Sequence, residues 1–188
     1  MSFFPALLNL KDKKVLVVGG GNIASFKIEK LLEFTKNITI IAPQINNHTK
    51  DMIQKYNLTH IDRVYQKGDI DGFFLVVVAV DSIELQRDIY QEANSKNILC
   101  NSVDSLEYCD FIFPSFIKRD DLIIAVSTSG ASPSMAKYLR RAIEKILPNS
   151  IGDKLKELRE IRDTKPKGKE RQKLLDKRAK EYIDKIFN

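Results

Sequence analysis

The sequence predicts an α/β protein: a parallel sheet alternating with helices, then a small α+β segment, then a helical C-terminal tail. Three observations predict it. Val15-Leu16-Val17-Val18 is an unbroken β-branched and leucine run, the pattern of a strand covered on both faces. Similar runs recur with helical stretches between them, as a right-handed βαβ succession requires. Near Pro114 that alternation stops, and two strand-like runs follow each other before one helix and two charged helical stretches.

Taken in order, Gly19-Gly20-Gly21 breaks the first strand and a helix restarts, with Phe26, Ile28, Leu31 and Leu32 on one face from Ser25 onward. Ile38-Thr39-Ile40-Ile41 is the second strand. Ala42-Pro43-Gln44 ends it, and a polar helix covers residues 47–56. Residues 58–61 read as a short strand and 69–72 as a loop. Residues 73–80, the most apolar run, read as a central strand. Asp81-Ser82 caps the next helix, whose stripe is Ile83, Leu85, Ile89 and Ala93, and residues 97–100 form the following strand. Residues 110–113 and 122–126 are strands joined hairpin-fashion across Lys118-Arg119-Asp120-Asp121. Ser132 and Pro133 are the N-cap and first residue of a helix carrying Met135, Leu139, Ala142, Ile143 and Ile146 on one face, and Pro148 ends it. Residues 151–162 and 170–187 are charged helices. The boundaries that follow are a parallel-sheet α/β domain over 1–112, a strand-and-helix segment over 113–149 and a helical C-terminal domain over 150–188.

A chain of 188 residues holds one full α/β domain and a smaller appendage. No stretch approaches the ~20 apolar residues of a membrane span. The apolar opening from Met1 to Leu10 has no basic leader and no small-residue cleavage site, so it reads as a lead-in packed on the domain. Cys100 and Cys109 form no disulfide framework, which favours a reducing cytoplasm and small buried side chains. Net charge is +6, unevenly spread: residues 1–112 hold 12 Lys+Arg against 14 Asp+Glu, and residues 113–188 hold 19 against 11. A polyanionic small substrate, nucleic acid, a membrane surface or plain solvated helices fit that surplus. No nucleic-acid motif or aromatic platform is present, and neither nucleic acid nor membrane is expected as a partner. His48 and His60 lack a second ligand at useful spacing, so no metal site is expected. No Ser–His–Asp or Cys–His arrangement is visible.

Gly19, Gly21 and Ala24 fill the three small-residue positions of G-x-G-x-x-G/A, between a strand and a helix. This is the dinucleotide fingerprint of a Rossmann-type sheet: a tight turn, close backbone approach to a pyrophosphate, and close helix–strand packing. The helix N-terminus directs its partial positive charge at the phosphates. An acid at the end of the second strand would grip the ribose hydroxyls of NAD, and an arginine would hold the 2′-phosphate of NADP. Ala42-Pro43-Gln44 supplies neither, which leaves backbone and Gln44 for the adenosine end and the choice of cofactor open on these grounds.

Six segments in matching order resemble one family. They are Leu10-Lys11-Asp12-Lys13-Lys14 leading into the glycines, Ile41-Ala42-Pro43, Ala79-Val80-Asp81, Asn101-Ser102-Val103-Asp104, Phe111-Ile112-Phe113-Pro114-Ser115, and Ser127-Thr128-Ser129-Gly130-Ala131-Ser132-Pro133. The family is the dehydrogenase/ferrochelatase domain of siroheme synthase, also found as free-standing precorrin-2 dehydrogenase, and the likeness spans roughly residues 1–150. Its second strand also ends without an acid. Val80, Gln86 and Thr128 depart from residues common there. The resemblance implies NAD-dependent oxidation of precorrin-2 to sirohydrochlorin, with ferrous iron insertion by some members, and a homodimer formed through the segment after the Rossmann domain. It carries cofactor contacts to the glycine loop with Asn22 and Ile23 and to Pro43 and Gln44, and the key carboxylate to Asp104.

Asp104 follows a strand at the carboxyl edge of the sheet, where open α/β proteins bind ligands, and is the candidate base. An Asx turn or helix cap is the structural alternative. Asp81 is a candidate contact to the nicotinamide ribose, or equally a helix cap. Ser127, Thr128, Ser129 and Gly130, with Arg119 and Lys137, are the candidate receivers of the tetrapyrrole carboxylates. The rival from another class is a non-enzymatic NAD-sensing regulatory Rossmann module, for which an acid after the second strand is expected and neither Asp104 nor the hydroxyl loop is needed.

Overall fold

A computed structural model describes residues 3–187. The chain divides into two compact units, Met1–Ile112 and Phe113–Asn188, the second holding both the hairpin segment and the C-terminal helices.

The first unit is a five-stranded parallel sheet in the order β3-β2-β1-β4-β5, comprising β1 (Val15–Val18), β2 (Ile38–Ile41), β3 (Thr59–Ile61), β4 (Leu75–Val78) and β5 (Leu99–Ser102). Helices α1 (Asn22–Leu32), α2 (Asn47–Tyr56) and α3 (Ile83–Ser95) connect the strands. Every residue of β1 and β4 is buried, which is why those two runs carry no polar alternation. Leu16, Val18, Ile41, Val76, Val78 and Cys100 from the strands pack with Ile70, and with Ile89 and Ala93 of α3, in one apolar cluster. The chain leaves β1 toward β2 on one side, while β4 lies on the other. The crevice where strand order reverses therefore opens at the carboxyl ends of β1 and β4, the ligand position of doubly wound sheets.

The second unit pairs β6 (Ser115–Arg119) with β7 (Leu122–Val126) antiparallel, followed by α4 (Pro133–Ile146), α5 (Ile151–Thr164) and α6 (Lys169–Phe187). Ser132 caps α4 by accepting the Met135 N–H, with Pro133 in the first turn. Asp120 and Asp121, in the hairpin turn, face Lys156 at 3.4 Å and Arg159 at 3.0 Å on α5.

Several sequence expectations are corrected. The first hairpin strand is 115–119 rather than 110–113. Asp110 is held instead by β5: its N–H donates to Cys100 O at 2.8 Å and its carboxylate accepts the Cys100 N–H at 2.8 Å. The run 73–80 pairs only over 75–78, and the strand expected at 97–100 lies at 99–102, after a left-handed turn at Asn97. On α1, Phe26 is exposed and Ser25 is buried, its hydroxyl donating to Asn22 O at 2.8 Å. On α3, Ile83 is exposed and Gln86 takes the inward position. The N-terminal lead-in does not pack as expected: Phe4 is 87% and Leu7 73% exposed, and only Leu10 is buried, while Met1 and Ser2 lie outside the described residues. Both cysteines are free and buried, and burial pushes the Cys100 thiol up to about 12.

A polar clamp fastens α3 to the β3–β4 connection. The buried Glu92 carboxylate accepts from Tyr65 Oη at 2.7 Å, Gly68 N at 2.8 Å and Lys96 Nζ at 2.8 Å. Burial alone would raise its pKa, but these donors outweigh burial and hold it below the usual carboxylate value. A folded value below the unfolded one gives stability that is complete above the unfolded pKa and lost as pH falls through the folded one. Glu92→Gln is therefore expected to cost about 2 kcal/mol at neutral pH. Urea denaturation should show that difference shrinking below pH ~4.

Candidate active site

The carboxyl edge of the first unit gathers the β1–α1 glycine turn, the β2–α2 loop, the β4–α3 loop and the turn after β5. Gly19 has φ +114°, and a Cβ there would stand 2.1 Å from Ala79 O. Its N–H donates to Ile41 O at 2.9 Å, so a single glycine is pinned between the exits of β2 and β4. A Cβ on Gly20 would meet Gln44 O and Ile45 Cγ2, each at 2.5 Å, and the Gly20 carbonyl accepts from Asn46 N at 2.9 Å and Thr49 Oγ1 at 3.2 Å. Gly21 differs from both. A Cβ there meets nothing within 4 Å, so its smallness is not demanded by the protein's own packing. It is the N-cap of α1 without any side-chain cap, and the first N–H groups of the helix are left for an anion to satisfy. The turn thus fits a dinucleotide pyrophosphate.

Around that turn, Asn22 Oδ1 accepts from Asn46 Nδ2 at 2.9 Å, and Asn46 caps α2 through the Thr49 N–H at 2.7 Å. Ile23, Pro43 and Gln44 are exposed. Behind Pro43, His60 Nε2 lies 3.0 Å from Ala42 O and fixes the end of β2. Asp81 is exposed and does not cap α3; Ser82 does, accepting the Leu85 N–H at 3.2 Å. Gln86 Nε2 donates to Val80 O at 2.7 Å, which holds the backbone beside Asp81.

Asp104 lies two residues beyond β5, exposed and in the left-handed region with φ +63°. Its turn is fastened from below. The Cys109 thiol donates to Ser102 O at 3.1 Å and approaches Ser105 O at 3.3 Å, and Asn101 Nδ2 donates to Phe111 O at 2.9 Å. Lys27 of α1 reaches the same place, its Nζ 3.4 Å from Asn101 Oδ1. The fold also brings Asn46, Thr49, Lys27 and Asn101 to this edge, residues that the sequence pattern does not single out for the site. Asn46 and Thr49 carry a readable signal, the N-cap spacing ahead of a polar helix, but nothing local marks Lys27.

The hydroxyl loop belongs to the second unit. Thr128 Oγ1 accepts the Ser132 N–H and donates to Ser132 O, both at 3.0 Å, so this hydroxyl closes the loop on itself. Ser127 Oγ accepts the Ser129 N–H at 3.1 Å, and Ser129 and Gly130 have φ +51° and +87°. Ser127, Ser129, Gly130 and Lys137 are exposed. The Arg119 guanidinium donates to carbonyls at and just past the end of α4: Glu144 O at 3.3 Å, Leu147 O at 2.6 Å and Pro148 O at 3.0 Å. Among the described residues no cluster of His, Cys, Asp and Glu is suited to a metal ion, and no helix is long and apolar enough to cross a membrane.

Residues 6–115 match the family model described as "Putative NAD(P)-binding", and residues 119–146 match that of the sirohaem biosynthesis protein central region. Over 152 residues, 81% of the chain, it is 36% identical to the siroheme synthase of Baumannia cicadellinicola subsp. Homalodisca coagulata. This chain belongs to the siroheme synthase/precorrin-2 dehydrogenase family. Identity is 39% over an equal length to the siroheme synthase of Blochmanniella pennsylvanica, and the chain spans about a third of the length of these relatives. The solved structure of SirC, a precorrin-2 dehydrogenase, superposes with a TM-score of 0.80 at 25% identity, covering 98% of each chain. Within this family the first unit is a nicotinamide-nucleotide domain, which agrees with the open space at Gly21.

Gly19 and Gly21, two residues apart, should separate cleanly on substitution. Gly19→Ala places a Cβ against Ala79 O at a positive φ and should destabilise the fold by more than about 2 kcal/mol. Gly21→Ala should keep stability within about 1 kcal/mol and weaken cofactor binding at least about tenfold, since the methyl occupies the phosphate's approach. Thermal melts and a fluorescence titration with reduced cofactor read the two effects.

Proposed function

We propose that this chain is an NAD-dependent dehydrogenase that oxidises precorrin-2 to sirohydrochlorin in the cytoplasm. The observation that carries the reading is Asp104, an exposed carboxylate held at the same sheet edge as the glycine turn. Gly19, Gly21, Asn22 and Ile23 would hold the pyrophosphate side of NAD, Pro43 and Gln44 the adenosine side, and Asp81 the nicotinamide ribose. When bound, NAD supplies the hydride acceptor. The oxidation removes one hydride and one proton from the macrocycle, so the protein's own share is orientation and a place for the proton. Asp104 takes that proton as carboxylate and returns it to water. The Ser127 and Ser129 hydroxyls, the Gly130 backbone and Lys137 are chemically suited to substrate carboxylates; Thr128 shapes their loop. Arg119 is not retained among them. The same Asp104 carboxylate suits the uptake of pyrrole N–H protons when ferrous iron enters the ring as substrate.

A homodimer is part of the proposal. Met135, Tyr138, Leu139 and Ile146 are exposed on α4, with Ala136 turned inward, a stripe that a second copy would cover. Leu139→Arg should yield a monomer by light scattering while leaving the first unit's cofactor affinity within about twofold; an unchanged mass would remove α4 from the interface.

The decisive experiment is anaerobic incubation with precorrin-2 and NAD, following NADH absorbance, with ferrous ion added afterwards to read chelation. Asp104→Asn is the informative variant because asparagine accepts the left-handed backbone that alanine would strain. Turnover should fall by about two to four orders of magnitude with NAD affinity within about twofold. Wild-type turnover in this variant would remove Asp104 from the mechanism.

A further inference from the structure

Lys27 has no part in the reading above, yet it sits where that reading needs a cation. It lies on α1 just beyond the glycine turn, partly buried, with Nζ 3.4 Å from Asn101 Oδ1. Asn101 is 3% exposed, and its amide nitrogen is spent on Phe111 O at 2.9 Å and Cys109 Sγ at 3.4 Å. Cys109 in turn holds Ser102 O and Ser105 O, on either side of Asp104. One lysine therefore reaches, through Asn101 and Cys109, both flanks of the turn that carries the candidate base. The contact with this buried amide sets the ammonium beside the turn.

We propose that Lys27 is the positioning residue of Asp104: its ammonium, held on Asn101, is the counter-charge that supports the Asp104 carboxylate as proton acceptor when the bound macrocycle excludes water from the sheet edge. The proposal rests on Asp104 being the proton acceptor. Covering an exposed carboxylate lowers the local dielectric, which favours its neutral form unless a cation stands close by. A carboxylate neutralised in that way cannot accept the substrate's proton. Among the groups that act electrostatically on Lys27 are Lys30 on its own helix, Cys109 after β5 and Asp104 in the turn. Burial, and then Lys30, lower the Lys27 pKa to about 8, against opposition from Cys109 and Asp104. Lys27 is thus charged below about pH 8 and loses its charge above it, so the support for Asp104 should fade on the alkaline side.

Two measurements test this on the full chain. The first needs no turnover: lysines carrying 13C at Cε are titrated by NMR, with the Lys27 signal assigned by Lys27→Arg. Its midpoint should move down by about half a unit or more in Asp104→Asn, because a stabilising negative charge is gone. The second is the pH profile of NADH formation. Lys27→Met should lower kcat about tenfold or more near pH 7 with the KM for NAD within about twofold. Lys27→Arg, which keeps its charge, should retain most of kcat and lose the wild-type decline above pH ~8. A Lys27 midpoint indifferent to Asp104→Asn overturns the pairing, as does a Lys27→Met enzyme with wild-type kcat across the range. Should Lys27→Met fold poorly, the arginine profile and the titration decide between the same outcomes. A wild-type chain that forms no NADH overturns the dehydrogenase reading itself, and that result is independent of where Lys27 titrates.

Discussion

The rest of the site depends on one close approach, the Ala79 carbonyl standing where any side chain on Gly19 would have to be. That contact draws the exits of β1 and β4 together at the point where strand order reverses. With Gly19 N–H bonded to Ile41 O, it also ties in the exit of β2. The glycine turn is therefore not a free loop that folds around a phosphate. It is a rigid rim whose one unfilled position, Gly21, faces open space. Rigidity of this kind matters because a dinucleotide gives up translational and rotational freedom on binding, and a preformed rim adds no ordering cost of its own.

Much of the first unit is legible because its central strands are buried on both faces and two of its helices, α2 and α3, begin at side-chain caps. Val15–Val18, Ile38–Ile41 and Asn47–Tyr56 fell where the pattern put them. The strands expected at 97–100 and 110–113 have the right apolar content, but their placement is decided by a turn in one case and by a side chain bonding another segment's backbone in the other: Asn97 in the left-handed region, and Asp110 engaged by Cys100. Hydrophobic period cannot see such long-range hydrogen bonds. The same blindness hid Lys27, a lysine on a helical surface until β5 and Asn101 are brought against it.

Charge in the second unit makes the complementary point. The sequence offers Arg119 as a candidate cation for substrate carboxylates, with Asp120 and Asp121 beside it in the hairpin junction. The fold spends them internally: Arg119 satisfies three carbonyls at the end of α4, and Asp120 and Asp121 face α5 lysine and arginine. Helix ends leave carbonyls without partners, and a planar guanidinium is well matched to several at once. A basic surplus counted along the chain therefore overstates the cations available to a ligand.

The left-handed residues bear on why position 104 carries a carboxylate at all. Asn57 and Asn97 adopt that backbone with an amide, so the conformation does not demand a charge. Asp120 shares the conformation, and its charge has a visible structural use against Lys156. Asp104 is exposed, and its turn is fastened by Cys109 and Asn101 rather than by its own carboxylate. An acid whose charge the turn does not need, at the ligand edge of the sheet and within electrostatic reach of Lys27, is what the proposed proton transfer calls for.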